Sequence, residues 1–269
     1  MSTATKSTAH APAPLTAVWL VVEGLWAWYR RNWRSSAVSS VLEPVLFLLA
    51  LGFGFGSQIQ PSAATGGLDY VAYLAPALVV ASAVQTSAFE ATYPVLAAFK
   101  WKRTFIGIAS TPVAPAQIAY GQLLWIALRV AVSSTAFLVI ATVLGAVTSV
   151  GVVGSLLVAV LTAMAFAAPV VAYSATLETE GQQFTAIFRF VVVPMTVFAG
   201  TFFPVDQLPV WVRPLVWVTP MWHGTELSRA AAFGTGELLA VLGHLLFLGA
   251  LVVLGARFAV RTFTRRLEV

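Results

Sequence analysis

The chain of 269 residues contains no cysteine. Disulfides, thiolate metal sites and thiol nucleophiles are excluded together, while the redox compartment stays unspecified. Charge is nearly as scarce, since 15 Lys+Arg and 10 Asp+Glu make up 9% of the residues, against about 25% in a soluble domain. An ordinary soluble fold is thereby excluded. Lysine is the rarest cation, and none of Lys6, Lys100 and Lys102 follows a glycine. A phosphate-binding loop of the G-x-x-x-x-G-K-[ST] type is therefore absent, and with it that mode of ATP binding. H-E-x-x-H and G-x-S-x-G are missing too, and His10, His223 and His244 lie at no metal-ligand spacing.

What is present is apolar. Hydrophobic residues make up 59% of the chain and aromatics 12%, and the mean hydropathy is +0.88. That composition is the opposite of a disordered chain and leaves an integral membrane protein, for which nucleic acid is not an expected partner. Six apolar runs are each long enough to cross about 30 Å of hydrocarbon: residues 36–56, 70–92, 118–147, 152–176, 184–203 and 238–259. The runs 41–50 and 245–254 are almost continuously apolar, whereas a barrel needs strands alternating apolar and polar. The expected fold is all-α, with a transmembrane domain over 36–259 that leaves no room for a second, soluble domain.

Basic residues cluster in three places. Lys6, Arg30, Arg31 and Arg34 precede the first run, Lys100, Lys102 and Arg103 follow the second, and Arg257, Arg261, Arg265 and Arg266 close the chain. Basic loops stay cytoplasmic, so both termini are expected in the cytoplasm of a cell whose cytoplasmic membrane the chain spans. The fourth loop departs from the pattern, with Glu178 and Glu180 where cations are expected. Residues 1–14 read as a disordered tail and 260–269 as a basic cytoplasmic tail. Residues 15–35 read as an amphipathic interfacial helix rather than a signal peptide or a seventh span, with Arg30, Arg31 and Arg34 on one arc and Trp19, Trp26 and Trp33 at its border. Between 203 and 236, four prolines (Pro204, Pro209, Pro214, Pro220) and three tryptophans (Trp211, Trp217, Trp222) make a segment too apolar for solvent and too broken for one span. A re-entrant pair of short helices fits it, as a cover on the bundle or as a gate.

Besides Arg189 and Arg257 near run ends, three charges fall inside the apolar runs, where a charge at the bilayer centre costs around 2.5–3.5 kcal/mol on insertion scales: Glu43, Glu90 and Arg129. They mark a translocation pathway or substrate contact, or else a structural ion pair or a snorkelling arginine. At Glu90 the structural reading is favoured. Glu43 and Arg129 differ in depth by about 5–7 Å at 1.5 Å per residue, within reach of each other. His223 with Glu226 at i and i+3 suits a helix-terminal hydrogen bond better than acid/base chemistry.

Several segments together carry a family likeness. They are Gly52-Phe53-Gly54-Phe55-Gly56, Phe89-Glu90-Ala91, the basic stretch Lys102-Arg103-Thr104-Phe105-Ile106-Gly107 ending in Ser110-Thr111-Pro112-Val113, the run Gly200-Thr201-Phe202-Phe203-Pro204-Val205-Asp206-Gln207-Leu208-Pro209, and Pro220-Met221-Trp222-His223 with Arg229. As a set they resemble permeases of type-2 ABC exporters, nearest to those exporting nodulation-factor lipo-oligosaccharides. The resemblance implies a six-span half-transporter that pairs with a second copy of itself and with two copies of a separate ABC ATPase. The ATPase subunits bind ATP and Mg, and this chain binds no cofactor. It further implies that 100–113, with Lys100, Lys102, Arg103, Thr104, Thr111 and Pro112, forms the coupling helix, although the often acidic position two after Thr104 is Ile106. The outer hairpin over 203–236, with Phe203, Pro204, Pro209, Pro220 and His223, would close the route of an amphipathic substrate: a glycolipid, lipo-oligosaccharide or hydrophobic drug. A lipid-modifying enzyme using Asp206, His223 and Glu226, and a secondary transporter coupling protons through Glu43 and Arg129, are the competing expectations.

Overall fold

A computed structural model describes residues 12–60, 65, 67–147 and 149–268, with the side chains of 32–41, 55 and 57 outside that description. The expected tail over 1–14 therefore lies largely outside the described residues. Within them the chain is helical, with no strand. In order come α1 (Pro14–Phe47), α2 (Tyr70–Ala91), α3 (Tyr93–Lys100), α4 (Thr104–Ala109), α5 (Pro115–Val143), α6 (Val152–Ser174), α7 (Gln182–Ile187), α8 (Val193–Phe198), α9 (Arg213–Trp217), α10 (Pro220–Phe233) and α11 (Leu238–Leu267). Four helical stretches are long and apolar enough to cross a membrane, Tyr70–Lys100, Pro115–Val143, Val152–Ser174 and Leu238–Leu267, and two shorter apolar helices cover Leu42–Gly54 and Gln182–Phe198. The protein is an all-α, multi-pass membrane protein.

Helix starts follow local chemistry. Proline occupies the first turn of α1, α3, α5, α8, α9 and α10, where its missing N–H removes nothing and its fixed φ favours the helix. At the head of α5, the Gln117 side chain turns back to accept the Ala114 backbone N–H at 2.8 Å, and at α10 the Thr219 hydroxyl caps the Trp222 N–H at 3.4 Å.

Three expected boundaries change. The interfacial helix over 15–35 and the first span from 36 are one continuous helix, α1. From Leu15 to Glu43 no proline interrupts the sequence, and a change from charged to apolar side chains does not by itself break a backbone. The helix alters only at Leu48–Phe55, where it relaxes into π-helical turns around Gly52 and Gly54. Residues 260–267 are the last turns of α11 rather than a separate tail. Phe263 is fully buried in a triad of rings with Phe99 and Phe105 (centroids 4.9 and 5.3 Å away), and that packing holds the helix on to its basic end, where Arg265 and Arg266 suit the macrodipole. The fifth run is also interrupted, with a π-helical turn at Phe188–Val192 between α7 and α8.

The centre of the bundle is α2. Almost every residue from Ala72 to Ala91 is buried, including Leu74, Val79, Val80 and Val84, because α1, α5, α6 and α10 all pack against it. Apolar side chains gain nothing by leaving lipid for a protein interior, so close approach through small residues supplies the attraction. Alanines serve α2 and α6 in this way: Ala75, Ala83 and Ala88 meet Ala159, Ala163 and Ala167 in one core. Gly255 of α11 lies so close to α6 that a Cβ there would stand 2.6 Å from Pro169, and one on Gly224 of α10 would overlap the Thr162 hydroxyl of α6. Serines tie the same helices: Ser228 Oγ donates to the Pro76 carbonyl at 2.8 Å, Ser155 Oγ to the Ser228 carbonyl at 2.9 Å, and Ser174 Oγ to the Ala91 carbonyl at 2.7 Å.

Gly224→Ala is expected to destabilise the folded protein by about 1–3 kcal/mol through overpacking. Gly243→Ala, with open space around its Cβ, should be neutral or slightly stabilising. Thermal melting of the purified variants in one detergent checks the contrast, and equal melting temperatures would refute the close α6–α10 contact.

Candidate functional site

An open cavity of ≈ 360 Å³ lies on the side of the bundle, and Glu43 from α1, Glu90 from α2 and Arg129 from α5 all line it. Gln85 and Thr86 add polar groups from α2, and Phe188, Val192 and Val193 close an apolar wall. Helical spacing explains the convergence. Residues 82, 85, 86, 89 and 90 fall on one face of α2, and that face meets Glu43 of α1 and the one arginine of α5 across the cavity.

The ion pair within this site differs from the one that helix depth suggests. Arg129 Nη2 lies 3.2 Å from Glu90 Oε1, each side chain only 10% exposed, while Glu43, exposed at the cavity rim, accepts a hydrogen bond from Gln85 Nε2 at 3.3 Å. Depth along an axis says nothing about rotation around it, and the rotation of α5 aims Arg129 at Glu90 rather than at Glu43. The guanidinium also sits over the Tyr29 ring at 4.0 Å, and Trp125 meets that ring edge-on with centroids 5.6 Å apart. Glu90 is thus the structural partner that the sequence suggests. Arg129 is its mate, and Glu43 is the acid left facing the cavity.

One end of the bundle gathers the expected coupling residues. The connection from α3 to α4 turns on Arg103, whose φ of 50° is the left-handed conformation. Phe105 then inserts, fully buried, between Phe99 and Phe263. That wedge holds α4 to the bundle and leaves Trp101, Lys102, Arg103, Thr104, Ile106, Thr111 and Pro112 exposed. Lys100 is drawn aside into an ion pair of 2.5 Å with Glu180, and Lys102 lies over the Trp28 ring at 3.9 Å. The acidic loop that breaks the charge pattern therefore packs at the same end as the basic cluster. Arg266 adds to it by donating to the Ala175 carbonyl at 2.8 Å.

At the far end, Arg229 of α10 is the principal tie. Its Nη2 donates to the Gly200 carbonyl at 2.6 Å, its guanidinium covers the Tyr73 ring at 3.8 Å, and Glu226 lies 3.7 Å away. Phe203 and Pro204 are half-buried, Pro209 is exposed, and Pro220 opens α10. His223 and His244 are 21 positions apart, yet their Nδ1 atoms are 2.7 Å from each other. His223 Nε2 faces the Trp217 carbonyl at 2.9 Å. A carbonyl only accepts, so His223 carries its proton on Nε2 and its Nδ1 accepts from His244. Sequence spacing could not find this pair, because it forms only when α10 packs on α11. Both nitrogens of His223 are thereby engaged and Glu226 is turned to Arg229, so Asp206, His223 and Glu226 do not assemble into an acid/base site. Among the described residues no cluster of three or more metal-ligating side chains exists.

A helical membrane bundle that turns Glu43, Glu90 and Arg129 toward one cavity has the architecture of a transport protein. Comparison with known proteins makes the assignment specific. The ABC-2 type transporter model matches residues 16–233. Nodulation protein J of Sinorhizobium fredii (strain NBRC 101917 / NGR234) is 32% identical over 217 residues, 77% of this chain and 81% of that protein. Nodulation protein J of Bradyrhizobium diazoefficiens is 30% identical over 259 residues, 94% and 93% of the two chains. The probable multidrug ABC transporter permease YbhR of Escherichia coli shares 32% over 56 residues, 21% of this chain and 15% of that one. The chain belongs to the ABC-2 type transporter family and is the membrane permease subunit of an ABC exporter.

Replacing Arg129 with Met should cost about 3–5 kcal/mol, since it strands Glu90 in the interior. Adding Glu90→Gln should recover much of that loss, whereas Arg129→Met combined with Glu43→Gln should add within about 0.5 kcal/mol. Melting curves of the two double-mutant cycles check the assignment. A larger coupling to Glu43 than to Glu90 would overturn it.

Proposed function

We propose that this permease pairs with a second copy and with two ABC ATPase subunits in the cytoplasmic membrane. It then moves an amphipathic substrate outward: a lipo-oligosaccharide, a glycolipid or a hydrophobic drug. The observation that carries the reading is the cavity over Glu43, Glu90 and Arg129. Its charged floor and apolar walls suit a molecule with a polar head and a lipid tail, and apolar walls with few polar contacts admit a range of such molecules. The names Nodulation protein J and multidrug ABC transporter permease among the relatives, together with the nodulation-factor resemblance, support that substrate class.

In this reading the two shorter apolar helices, Leu42–Gly54 and Gln182–Phe198, join the four long ones as spans one and five. Both termini are cytoplasmic, and α9 with α10 forms the re-entrant outer hairpin. The strongly exposed Val210, Trp211, Leu215 and Val218 support the hairpin, because such side chains suit lipid and its interface better than water. ATP and Mg bind the partner ATPases. Their closure pushes on α4, and the fully buried Phe105 passes that motion to Phe99 and Phe263, at the ends of α3 and α11. The paired bundles then exchange inward for outward access.

Changing Lys102 and Arg103 to Glu should reduce co-purification of the ATPase and its stimulation by the permease at least severalfold, because it inverts the charge of the exposed docking face. Undiminished stimulation in reconstituted vesicles would show that α4 is not the coupling element. For topology, Thr235→Cys in this cysteine-free chain should react with an impermeant thiol reagent applied outside intact cells, and Ser110→Cys only after lysis. The reverse labelling would reject the six-span arrangement.

A further inference from the structure

Arg257, Arg261 and Arg265 lie at i, i+4 and i+8 on α11, all exposed and on one stripe, continuing the exposed apolar line of Leu246, Val253, Leu254 and Phe258. The groove between this stripe and α5 has a volume of ≈ 460 Å³ and is lined by Tyr120, Leu254, Arg257, Phe258, Val260 and Arg261. Arg266, the next cation along, turns inward to the Ala175 carbonyl and the Phe99 ring. Arg257 and Arg261 do not. Neither makes an ion pair or hydrogen bond with any described residue, and the Tyr120 hydroxyl makes none either.

We infer that this groove is a binding site for an anionic phospholipid of the surrounding bilayer. The phosphodiester would lie between Arg257 and Arg261, the Tyr120 hydroxyl would donate to it, and the acyl chains would run along Leu254 and Phe258. Phe263, six residues beyond Arg257, packs against Phe105 of α4 at the basic end of the bundle, so the two guanidinium groups stand near the level where headgroups begin. A planar guanidinium offers paired donors that match two phosphate oxygens. Basic pockets between membrane helices next to apolar walls hold anionic headgroups in the same manner. A snorkelling arginine reaches for water individually, whereas here two guanidinium groups and a phenol converge on one groove with apolar walls. The proposal rests only on the chain's spanning a bilayer and is independent of the exported substrate.

The test uses the delipidated full-length permease in a non-ionic detergent, melted with phosphatidylglycerol, phosphatidylcholine or inorganic phosphate. Phosphatidylglycerol should raise the melting temperature by about 4 °C or more, and the other two additions by much less. Arg257→Gln with Arg261→Gln should remove that increment. Arg30→Gln with Arg31→Gln, which deletes the same charge from the exposed side of α1, should keep it. Arg257→Lys with Arg261→Lys guards against a folding failure of the Gln pair, because it retains charge but not the paired donors, and should weaken the increment. An equal shift from phosphatidylcholine would overturn the site in favour of plain apolar contact. An equal shift from phosphate would replace the lipid with a free anion. An increment that survives the Gln pair, or that vanishes with the Arg30 and Arg31 change, would remove the assignment to this groove.

Discussion

Hydrocarbon offers no hydrogen bonds, so every charge that enters this bundle must find its partner within it, and the Arg129–Glu90 contact meets that demand at the centre. Arg129 comes from α5 and Glu90 from α2, with Tyr29 of α1 covering the guanidinium. One ion pair thus sets the rotation of three helices at once. Because Arg129 pairs with Glu90, Glu43 is left facing the cavity, where it accepts a hydrogen bond from Gln85. The same constraint repeats at the outer end, where Arg229 gathers the Gly200 carbonyl, Tyr73 and Glu226 around α10.

Around these polar ties the bundle is held by contact rather than by the hydrophobic effect. Lipid tails solvate leucine as well as a protein core does, and so helices associate where small residues let backbones meet. The alanine-rich faces of α2 and α6, with Gly224 and Gly255 closing against α6, supply such contacts and leave the larger side chains for lipid. The result is a stiff centre, α2 with α5, α6 and α10, flanked by segments of looser geometry. The π-helical turns at Leu48–Phe55 and Phe188–Val192 fall at the two shorter apolar helices, Leu42–Gly54 and Gln182–Phe198. Phe188 and Val192 line the cavity, and Glu43 and Pro44 stand just before the first of these turns. π-Helical turns are frequent at functional sites because they leave backbone bonds easy to rearrange.

Much of the architecture is legible in the sequence, because apolar run length and proline placement are local signals. Tyr70 and Val152 begin their helices where the runs begin, and Pro115 and Pro220 mark helix starts. What the sequence hides depends on packing between distant segments. The choice of Glu90 over Glu43 as the mate of Arg129 depends on helix rotation. The His223–His244 contact requires α10 against α11, and the continuation of α11 to Leu267 depends on Phe263 finding Phe99 and Phe105. The role of Glu180 is a further instance, since an acid in a loop expected to be basic becomes intelligible only when Lys100 is seen beside it.

The central claim is that the cavity over Glu43, Glu90 and Arg129 lies on the transport route and changes access with the state of the ATPase. The cysteine-free background permits a direct measurement. A single cysteine at Gln85, which lines that cavity, is exposed to a polar thiol reagent in vesicles holding the complete transporter, with and without ATP trapped on the ATPase. The account predicts that Gln85→Cys reacts in the nucleotide-free state and that trapping changes its rate at least severalfold. A cysteine that never reacts, or reacts at one rate in both states, would contradict it.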